Sequence, residues 1–215
     1  IVDALDGIAD ACAAAAVWMH VDGAYGGAAM AAPSVRHRFI GVEHCDSLVV
    51  DPHKWLFSPF DCAALLYRNP AIARDAHTQR AGYLEPIIDD TVWNPCDYAH
   101  VLTRRARGMP FWFSLAVHGT DAYRDAIEGT LEVTLATREM VAAADHLELI
   151  VEPELSVVAF RRRGWGLADY QAWCDRLLAE GMALLTPTTV DGGPAMRVCI
   201  INPRTTVDDL AEILA

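Results

Sequence analysis

Two short apolar segments, each followed by an acidic residue and a turn, constrain the fold of this chain more than any other feature. The first covers residues 17–22 and ends at Asp22 before a glycine-rich turn, and the second covers residues 46–51 and is broken by Pro52. Between them lie a loop and a short helical pattern near residues 34–40. A strand, a helix and a second strand at this spacing are typical of α/β proteins, so we predict two parallel neighbouring strands with helices on the faces of the sheet.

The secondary structure predicted for the rest of the chain differs from one segment to the next. Residues 79–100 have little periodicity and predict a long loop, whereas residues 103–146 are helical in pattern with interruptions at Pro110 and Gly119. The other predicted elements are strands over residues 62–67, 147–152, 155–162, 183–188 and 196–201 and helices over residues 1–16, 167–180 and 207–214. We therefore predict a second, smaller α+β unit that begins near residue 120.

The composition excludes several classes of protein. Hydrophobic residues make up 53% of the 215 residues, which supplies enough apolar surface to offset the entropy lost on folding and excludes a disordered chain. The longest apolar run, residues 11–19, is too short to cross a bilayer, so we expect no membrane span. With 17 basic against 29 acidic residues the net charge is −12, which repels a phosphate backbone, so we expect no nucleic-acid partner.

The six cysteines are scattered and form no C-x-x-C pair. We therefore expect neither a metal site nor a disulfide framework, and a reducing cytoplasm is the location that this cysteine usage favours.

Lys54 is the only lysine in the chain. It follows the second predicted strand and precedes the apolar residues Trp55, Leu56 and Phe57, which is a poor place for a solvated surface lysine. The carboxyl ends of parallel strands are where α/β folds build their sites, and a lysine amine can act there as a nucleophile. Arginine could not replace it, because a guanidinium does not form an imine.

Asp22 ends the first predicted strand, where a buried carboxylate needs a cationic partner. If the two strands end side by side, Asp22 and Lys54 face the same crevice. An acid and a nucleophilic amine in one crevice suit pyridoxal 5'-phosphate, because the lysine holds the aldehyde as a Schiff base while the aspartate keeps the ring nitrogen protonated. From position alone, a plain salt bridge between Asp22 and Lys54 explains the two residues equally well.

Four motifs in order carry a resemblance to a known family. They are HVDGAYGG at residues 20–27, GVEHCDS at residues 41–47, DPHKW at residues 51–55 and FDC at residues 60–62. This series resembles the group II pyridoxal-phosphate-dependent amino-acid decarboxylases, the family of aromatic-L-amino-acid decarboxylase. The likeness continues through the segments TRRAR at residues 103–107, RVC at residues 197–199 and NPRT at residues 202–205, and so covers nearly the whole chain.

The resemblance implies an α/β fold of fold type I, like aspartate aminotransferase. Residues 1–118 would be the C-terminal part of the large cofactor-binding domain, and residues 119–215 the small C-terminal α+β domain. The chain opens with Ile1, and the family's phosphate-binding turn and ring-stacking aromatic residue would precede it, so we expect it to correspond to the C-terminal half of a family member. The implied reaction is the decarboxylation of an L-amino acid, with an aromatic substrate expected and glutamate or aspartate-like substrates as alternatives, in a homodimer.

By the same resemblance, Lys54 is the Schiff-base lysine and Asp22 the partner of the ring nitrogen. Ala24 is the small residue whose methyl group packs on the cofactor ring, and His53 is the histidine close to the phosphate and the substrate. Two departures are Gly23, where relatives often have alanine, and Asp51 before Pro52, where animal relatives often have asparagine.

Family members place a tyrosine on a mobile loop before the arginine-rich segment, where it is thought to reprotonate the substrate carbon. Tyr98 resembles this tyrosine, but the loop here is shorter before Arg104, and Tyr83 is the rival. We expect residues 79–100 to form a lid that closes over the substrate, with an ordinary connector as the alternative.

Several other residues have competing explanations. His20 lies one pleat from Asp22 in the predicted strand and could orient that carboxylate in the cofactor site, or it could be a core histidine. The arginines of residues 104–107 fit salt bridges on a helix face better than a cofactor phosphate. The apolar residues Met109, Trp112 and Phe113 are most simply core residues.

Two other functions remain open. Arg197, on a predicted strand of the small unit, lies where aminotransferases keep an arginine for the substrate carboxylate, which would favour transamination. The missing phosphate-binding turn favours a piece that only folds and associates with a partner.

Overall fold

The computed structural model describes residues 1–79 and 92–215 of the chain, and these form a mixed α/β structure with two sheets. Their α-helices are α1 (Leu5–Ala15), α2 (Pro70–His77), α3 (Gly108–Ala143), α4 (Leu167–Ala179) and α5 (Val207–Leu214). Their strands are β1 (His20–Asp22), β2 (Ser47–Val50), β3 (Ala64–Tyr67), β4 (Leu147–Val151), β5 (Val157–Arg162), β6 (Pro187–Val190) and β7 (Gly193–Cys199). No helix in this part of the chain is both long and apolar enough to cross a membrane.

The first sheet has the strand order β1-β2-β3. Strands β1 and β2 are parallel, with Asp22 opposite Val49, and β3 runs antiparallel to β2. The prediction of two parallel neighbouring strands is therefore confirmed. The predicted burial of the first strand is wrong: Val17 and Trp18 precede β1 and are 56% and 47% exposed, and Asp22 is exposed. β1 is an edge of this described sheet, so one of its sides has no strand against it.

The second sheet has the order β4-β5-β7-β6, and all its neighbouring strands are antiparallel. Strands β6 and β7 form a hairpin whose turn residues Asp191 and Gly192 have φ values of 50° and 74°. Both residues occupy the positive-φ region that a two-residue hairpin turn requires, and Asp-Gly is a favoured pair there. The predicted strands over residues 183–188 and 196–201 are displaced from β6 and β7 because this turn was not recognised.

Helix α3 contains the predicted interruption at Gly119, where φ is 77° and ψ is 165°. Pro110 does not interrupt it, because it lies in the first turn, where the missing N–H has no helical partner to lose. The domain boundary between residues 118 and 119 thus falls at a bend within one helical segment, and it stays a prediction.

Two groups of buried apolar side chains form the core. One packs helices α3, α4 and α5 against the second sheet, and the other surrounds Trp55 and includes Ile127 and Leu131 of α3. The expectation that Met109, Trp112 and Phe113 are core residues is wrong for the described chain, since they are 48%, 59% and 55% exposed. Periodicity identifies an apolar helix face but not the surface that covers it.

Trp55 connects the residue after Lys54 to helix α3. Its side chain is fully buried, and its indole Nε1–H donates to the Thr130 hydroxyl at 3.0 Å. Thr130 donates in turn to the Ile127 carbonyl at 2.7 Å, so this buried chain of hydrogen bonds is satisfied at each step.

We expect Thr130→Val to lower the free energy of unfolding of the full-length protein by about 1–3 kcal/mol, because the buried Trp55 N–H loses its acceptor. Urea denaturation measures this change. Thr134→Val is the matched control: Thr134 is equally buried, but its hydroxyl only donates to the Thr130 carbonyl within the helix. Removing the Thr134 hydroxyl leaves no buried donor without an acceptor, so it should lower the free energy of unfolding by less than about 1 kcal/mol. Equal losses in the two variants would contradict the proposed importance of the Trp55 hydrogen bond.

Candidate active site

A cleft of about 570 Å³ opens at the carboxyl ends of β1 and β2. Four of the predicted site residues line it, namely His20, Asp22, Ala24 and Lys54. Because β1 and β2 are parallel, the residues that follow them meet at one edge of the sheet, which is where α/β proteins bind ligands.

Lys54 lies in the turn after β2. Its backbone N–H donates to the Asp51 carbonyl at 2.9 Å, and its Nζ lies 2.8 Å from Asp51 Oδ2. The Lys54 side chain is 41% exposed, so its amine is accessible from the cleft, whereas the Asp51 side chain is 12% exposed. An Asp–Lys ion pair therefore exists, but the partner is Asp51 and not Asp22.

Asp22 is exposed towards the cleft, and its Oδ1 accepts a hydrogen bond from the Ala24 N–H at 3.0 Å. No Lys, Arg or His of the described chain forms an ion pair with it, so the expected buried, cation-paired carboxylate is not observed. Gly23, between these two residues, packs tightly: a Cβ atom there would lie 2.9 Å from the Val49 carbonyl oxygen. The departure from alanine at this position therefore has a steric reason.

His20 is exposed, so it is not a core histidine. Its Nδ1 lies 2.8 Å from the hydroxyl oxygen of Ser47, its neighbour across the strands, and the Trp18 indole N–H donates to the same oxygen at 2.9 Å. The hydrogen bond of His20 thus goes to Ser47, and the expected orientation of Asp22 by His20 is not observed.

His53 does not line the cleft. Its Nδ1 accepts from the Cys62 backbone N–H at 3.1 Å, and its ring packs edge-on against Phe60 at 5.0 Å between centroids. Its Nε2 lies 4.0 Å from Asp51 Oδ2. The imidazole is therefore held between the loop before β3 and the carboxylate that contacts Lys54.

Tyr98 also lies away from the lining of the cleft. It ends a 3₁₀ helix (Pro95–Tyr98), and its ring stacks on Trp93 at 6.1 Å. Its rival Tyr83 falls in residues 80–91, outside the described residues.

Two of the three arginines in residues 104–107 form salt bridges, although not on a helix face. Arg105 and Arg107 both pair with Asp61, in the loop before β3, and Arg107 Nε lies 2.9 Å from Asp61 Oδ2. The hydrogen bond from Arg107 lowers the pKa of Asp61, so this carboxylate stays ionised. Arg104 donates to the Pro95 carbonyl at 3.0 Å. These contacts fix the segment after Tyr98 next to the loop that holds His53.

Tyr25 and Trp55 are neighbours of the candidate site that sequence reasoning missed. Each directly follows a predicted site residue, Ala24 or Lys54, and their rings stack at 5.1 Å with an angle of 7°. The Tyr25 hydroxyl lies 2.6 Å from the Ser156 hydroxyl oxygen, and burial raises the pKa of Tyr25. The stack therefore ties the turns after β1 and β2 to each other and to the start of β5. An aromatic residue directly after each site residue was the available signal.

Comparison with known proteins shows which family the chain resembles. Residues 2–163 match the model of the pyridoxal-dependent decarboxylase conserved domain. The chain is 30% identical to an aromatic-L-amino-acid decarboxylase of Bacillus atrophaeus, over 99% of this chain and 46% of the relative. It is 36% identical to an L-2,4-diaminobutyrate decarboxylase of Rhizobium meliloti, over 99% of this chain and 44% of the relative.

A solved structure, that of Oryza sativa TDC with PLP and tryptamine, superposes with a TM-score of 0.88 at 26% identity, over 99% of this chain and 46% of that chain. The chain thus spans somewhat less than half the length of these relatives. The match to the family model covers most of the chain and includes the carboxyl ends of β1 and β2. On this basis the chain belongs to the pyridoxal-dependent decarboxylase family.

Proposed function

We propose that the full-length protein containing this chain decarboxylates an L-amino acid with pyridoxal 5'-phosphate, releasing the amine and carbon dioxide. The observation that carries this proposal is the presence of Asp22 and Lys54 on one cleft, at the ends of two parallel strands. The proposal includes fold type I, with residues 1–118 as the later part of the large domain and residues 119–215 as the small domain. A cytoplasmic homodimer is part of the same proposal.

The residues of the cleft fit this cofactor chemically. Lys54 provides an accessible amine for the aldehyde, and it is the only lysine of the chain. Asp22 provides an exposed carboxylate without an ion-pair partner in the described chain, as a protonated ring nitrogen requires. Between them, Gly23 and Ala24 present little side-chain volume, which leaves room for a planar ring.

Each residue then has a defined task. Lys54 would hold the cofactor through its aldehyde carbon, Asp22 would accept a hydrogen bond from the ring nitrogen, and the methyl group of Ala24 would pack against the ring. When bound, the cofactor supplies a ring that accepts the electron pair left behind by carbon dioxide. His53 is proposed to act near the phosphate and the substrate, although its ring, which contacts Cys62 and faces Asp51, lies outside the lining of the cleft.

A loop tyrosine would return a proton to the substrate carbon. The candidates are Tyr98 and Tyr83, and the segment that carries them would close over the substrate and exclude water. Tyr98 stacks on Trp93 outside the cleft, so this role requires it to leave that contact.

Transamination has less support from the same geometry. Arg197 is exposed on β7 and does not line the cleft. No arginine of the described chain lines this cleft to hold a substrate carboxylate, and a carboxylate that is not held can leave.

Product analysis tests the proposal. The full-length protein, supplied with cofactor, is incubated with aromatic L-amino acids, glutamate, aspartate and L-2,4-diaminobutyrate, and carbon dioxide, amine and keto acid are measured. We expect carbon dioxide and amine in equal amounts from at least one of these substrates, with aromatic amino acids preferred. Keto acid without carbon dioxide would contradict decarboxylation and support transamination. Cofactor binding by the full-length protein but not by residues 1–215 alone would assign the missing part of the site to the rest of the protein.

A further inference from the structure

Asp51 lies beside the cleft and is held by contacts on three sides. Its backbone N–H donates to the Ala24 carbonyl at 3.1 Å, which fixes it against the turn after β1. Its Oδ2 lies 2.8 Å from Lys54 Nζ and 4.0 Å from His53 Nε2. One oxygen of a nearly buried carboxylate is thus shared between an amine and an imidazole.

We infer that Asp51 is a positioning residue for Lys54 and holds its amine at a defined place beside the cleft whenever that amine is not bonded to the cofactor. This inference rests on the proposed function, in which the lysine is covalently bonded in one state and free in another. A free amine must then have a place within reach of the cleft.

Charge and burial support this role. The Asp51 carboxylate is 12% exposed and needs a cationic partner, and Lys54 is that partner, while His53 Nε2 lies 4.0 Å away. Lys54 Nζ lies 2.8 Å from Asp51 Oδ2, and an amine held in this contact must leave it before it can react with an aldehyde. Asp22 has no ion pair with Lys54, so the two carboxylates would have separate tasks: Asp22 would hold the ring nitrogen of the cofactor, and Asp51 would hold the lysine.

Two backbone hydrogen bonds fix the position of Asp51. The Lys54 backbone N–H donates to the Asp51 carbonyl at 2.9 Å, which closes a tight turn, and the bond to Ala24 fixes the other side. These backbone hydrogen bonds fix the position of Asp51, and the ion pair then gives the amine of Lys54 a fixed partner.

Chemical labelling of the cofactor-free, full-length protein tests the inference. An acetylating reagent is applied at low conversion, and mass spectrometry measures the modified peptide that contains residue 54. We expect Asp51→Asn to label at Lys54 about fivefold faster than wild type at neutral pH, in the range that a half-exposed ion pair provides. Asp22→Asn is the matched control, because it removes one carboxylate charge from the lining of the cleft but no ion-pair partner of Lys54, and its labelling rate should stay close to that of wild type.

A second variant distinguishes the loss of the carboxylate from misfolding. Asp51→Glu restores the carboxylate and should return the labelling rate towards that of wild type, with far-UV circular dichroism checking the fold of all variants. Equal labelling rates in wild type and Asp51→Asn would overturn the inference, as would equal acceleration by Asp22→Asn. The labelling experiment needs no cofactor, so it tests the role of Asp51 independently of the proposed function. Failure of added pyridoxal 5'-phosphate to bind at Lys54 would overturn the proposed function but not this inference.

Discussion

A full-length enzyme carrying Lys54→Arg is expected to release carbon dioxide at least roughly 10⁴-fold more slowly than wild type, the scale of loss seen when a covalent catalytic group is removed. Arginine keeps a positive charge beside Asp51, so the ion pair at this position can persist. Its guanidinium cannot form the covalent bond to the aldehyde. The substitution therefore keeps the positive charge at residue 54 and removes only the ability to bond covalently to the aldehyde.

Borohydride reduction provides the direct measurement. In the wild-type enzyme we expect the reduced cofactor on the peptide that contains residue 54, and in Lys54→Arg we expect no label on this chain, which has no other lysine. Arg163→Lys is the control, because it adds an exposed lysine at the end of the second sheet, where the present side chain is 60% exposed. This control should keep its activity and carry label only on Lys54. Label on residue 163, or an active Lys54→Arg enzyme, would remove Lys54 from the proposed role.

The arrangement of the cleft could be predicted because local signals specify it. Apolar runs that stop at Asp22 and Pro52 define two strand ends, and parallel pairing brings these ends together. Lys54 was identified by its position directly after such an end. These inferences need only the chain's own pattern and the general geometry of parallel sheets.

The partners of the site residues could not be predicted in the same way. Lys54 pairs with Asp51 three residues before it because a tight turn folds the chain back on itself, and this depends on backbone conformation. The sequence leaves a salt bridge between Lys54 and Asp22 open as one explanation, since it defines only the two strand ends. The stack of Tyr25 on Trp55 likewise depends on the separation of two turns, which periodicity does not give.

Burial was the least predictable property. Asp22 was expected to be buried and Trp112 to be a core residue, but both are exposed in the described chain. Hydrophobicity indicates which face of an element is apolar, whereas burial depends on the neighbours that pack on it. The chain spans less than half the length of its relatives, so its own pattern does not determine what lies against these faces.

The second large effect concerns the loop tyrosine. We expect one of the variants Tyr98→Phe and Tyr83→Phe to lose amine production by about two to four orders of magnitude, the usual contribution of a positioned acid. Cofactor binding at Lys54 should be unchanged in that variant, because phenylalanine keeps the ring and removes only the hydroxyl. Aldehyde or ketone products should rise as the amine falls, since a substrate carbon that is not protonated on time remains open to other reactions.

Comparing the two variants identifies the donor. Each serves as the other's control, because both remove one hydroxyl from the same segment. A loss in Tyr98→Phe would mean that Tyr98 leaves its contact with Trp93 during turnover, and Trp93→Ala, which removes this stack in the resting enzyme, should then change the rate of closure without abolishing amine release. A loss in Tyr83→Phe would leave Tyr98 as part of the base of the loop, consistent with its place outside the cleft. Full amine production in both variants would contradict a tyrosine donor and direct the test to His53, which Asp51 faces at 4.0 Å.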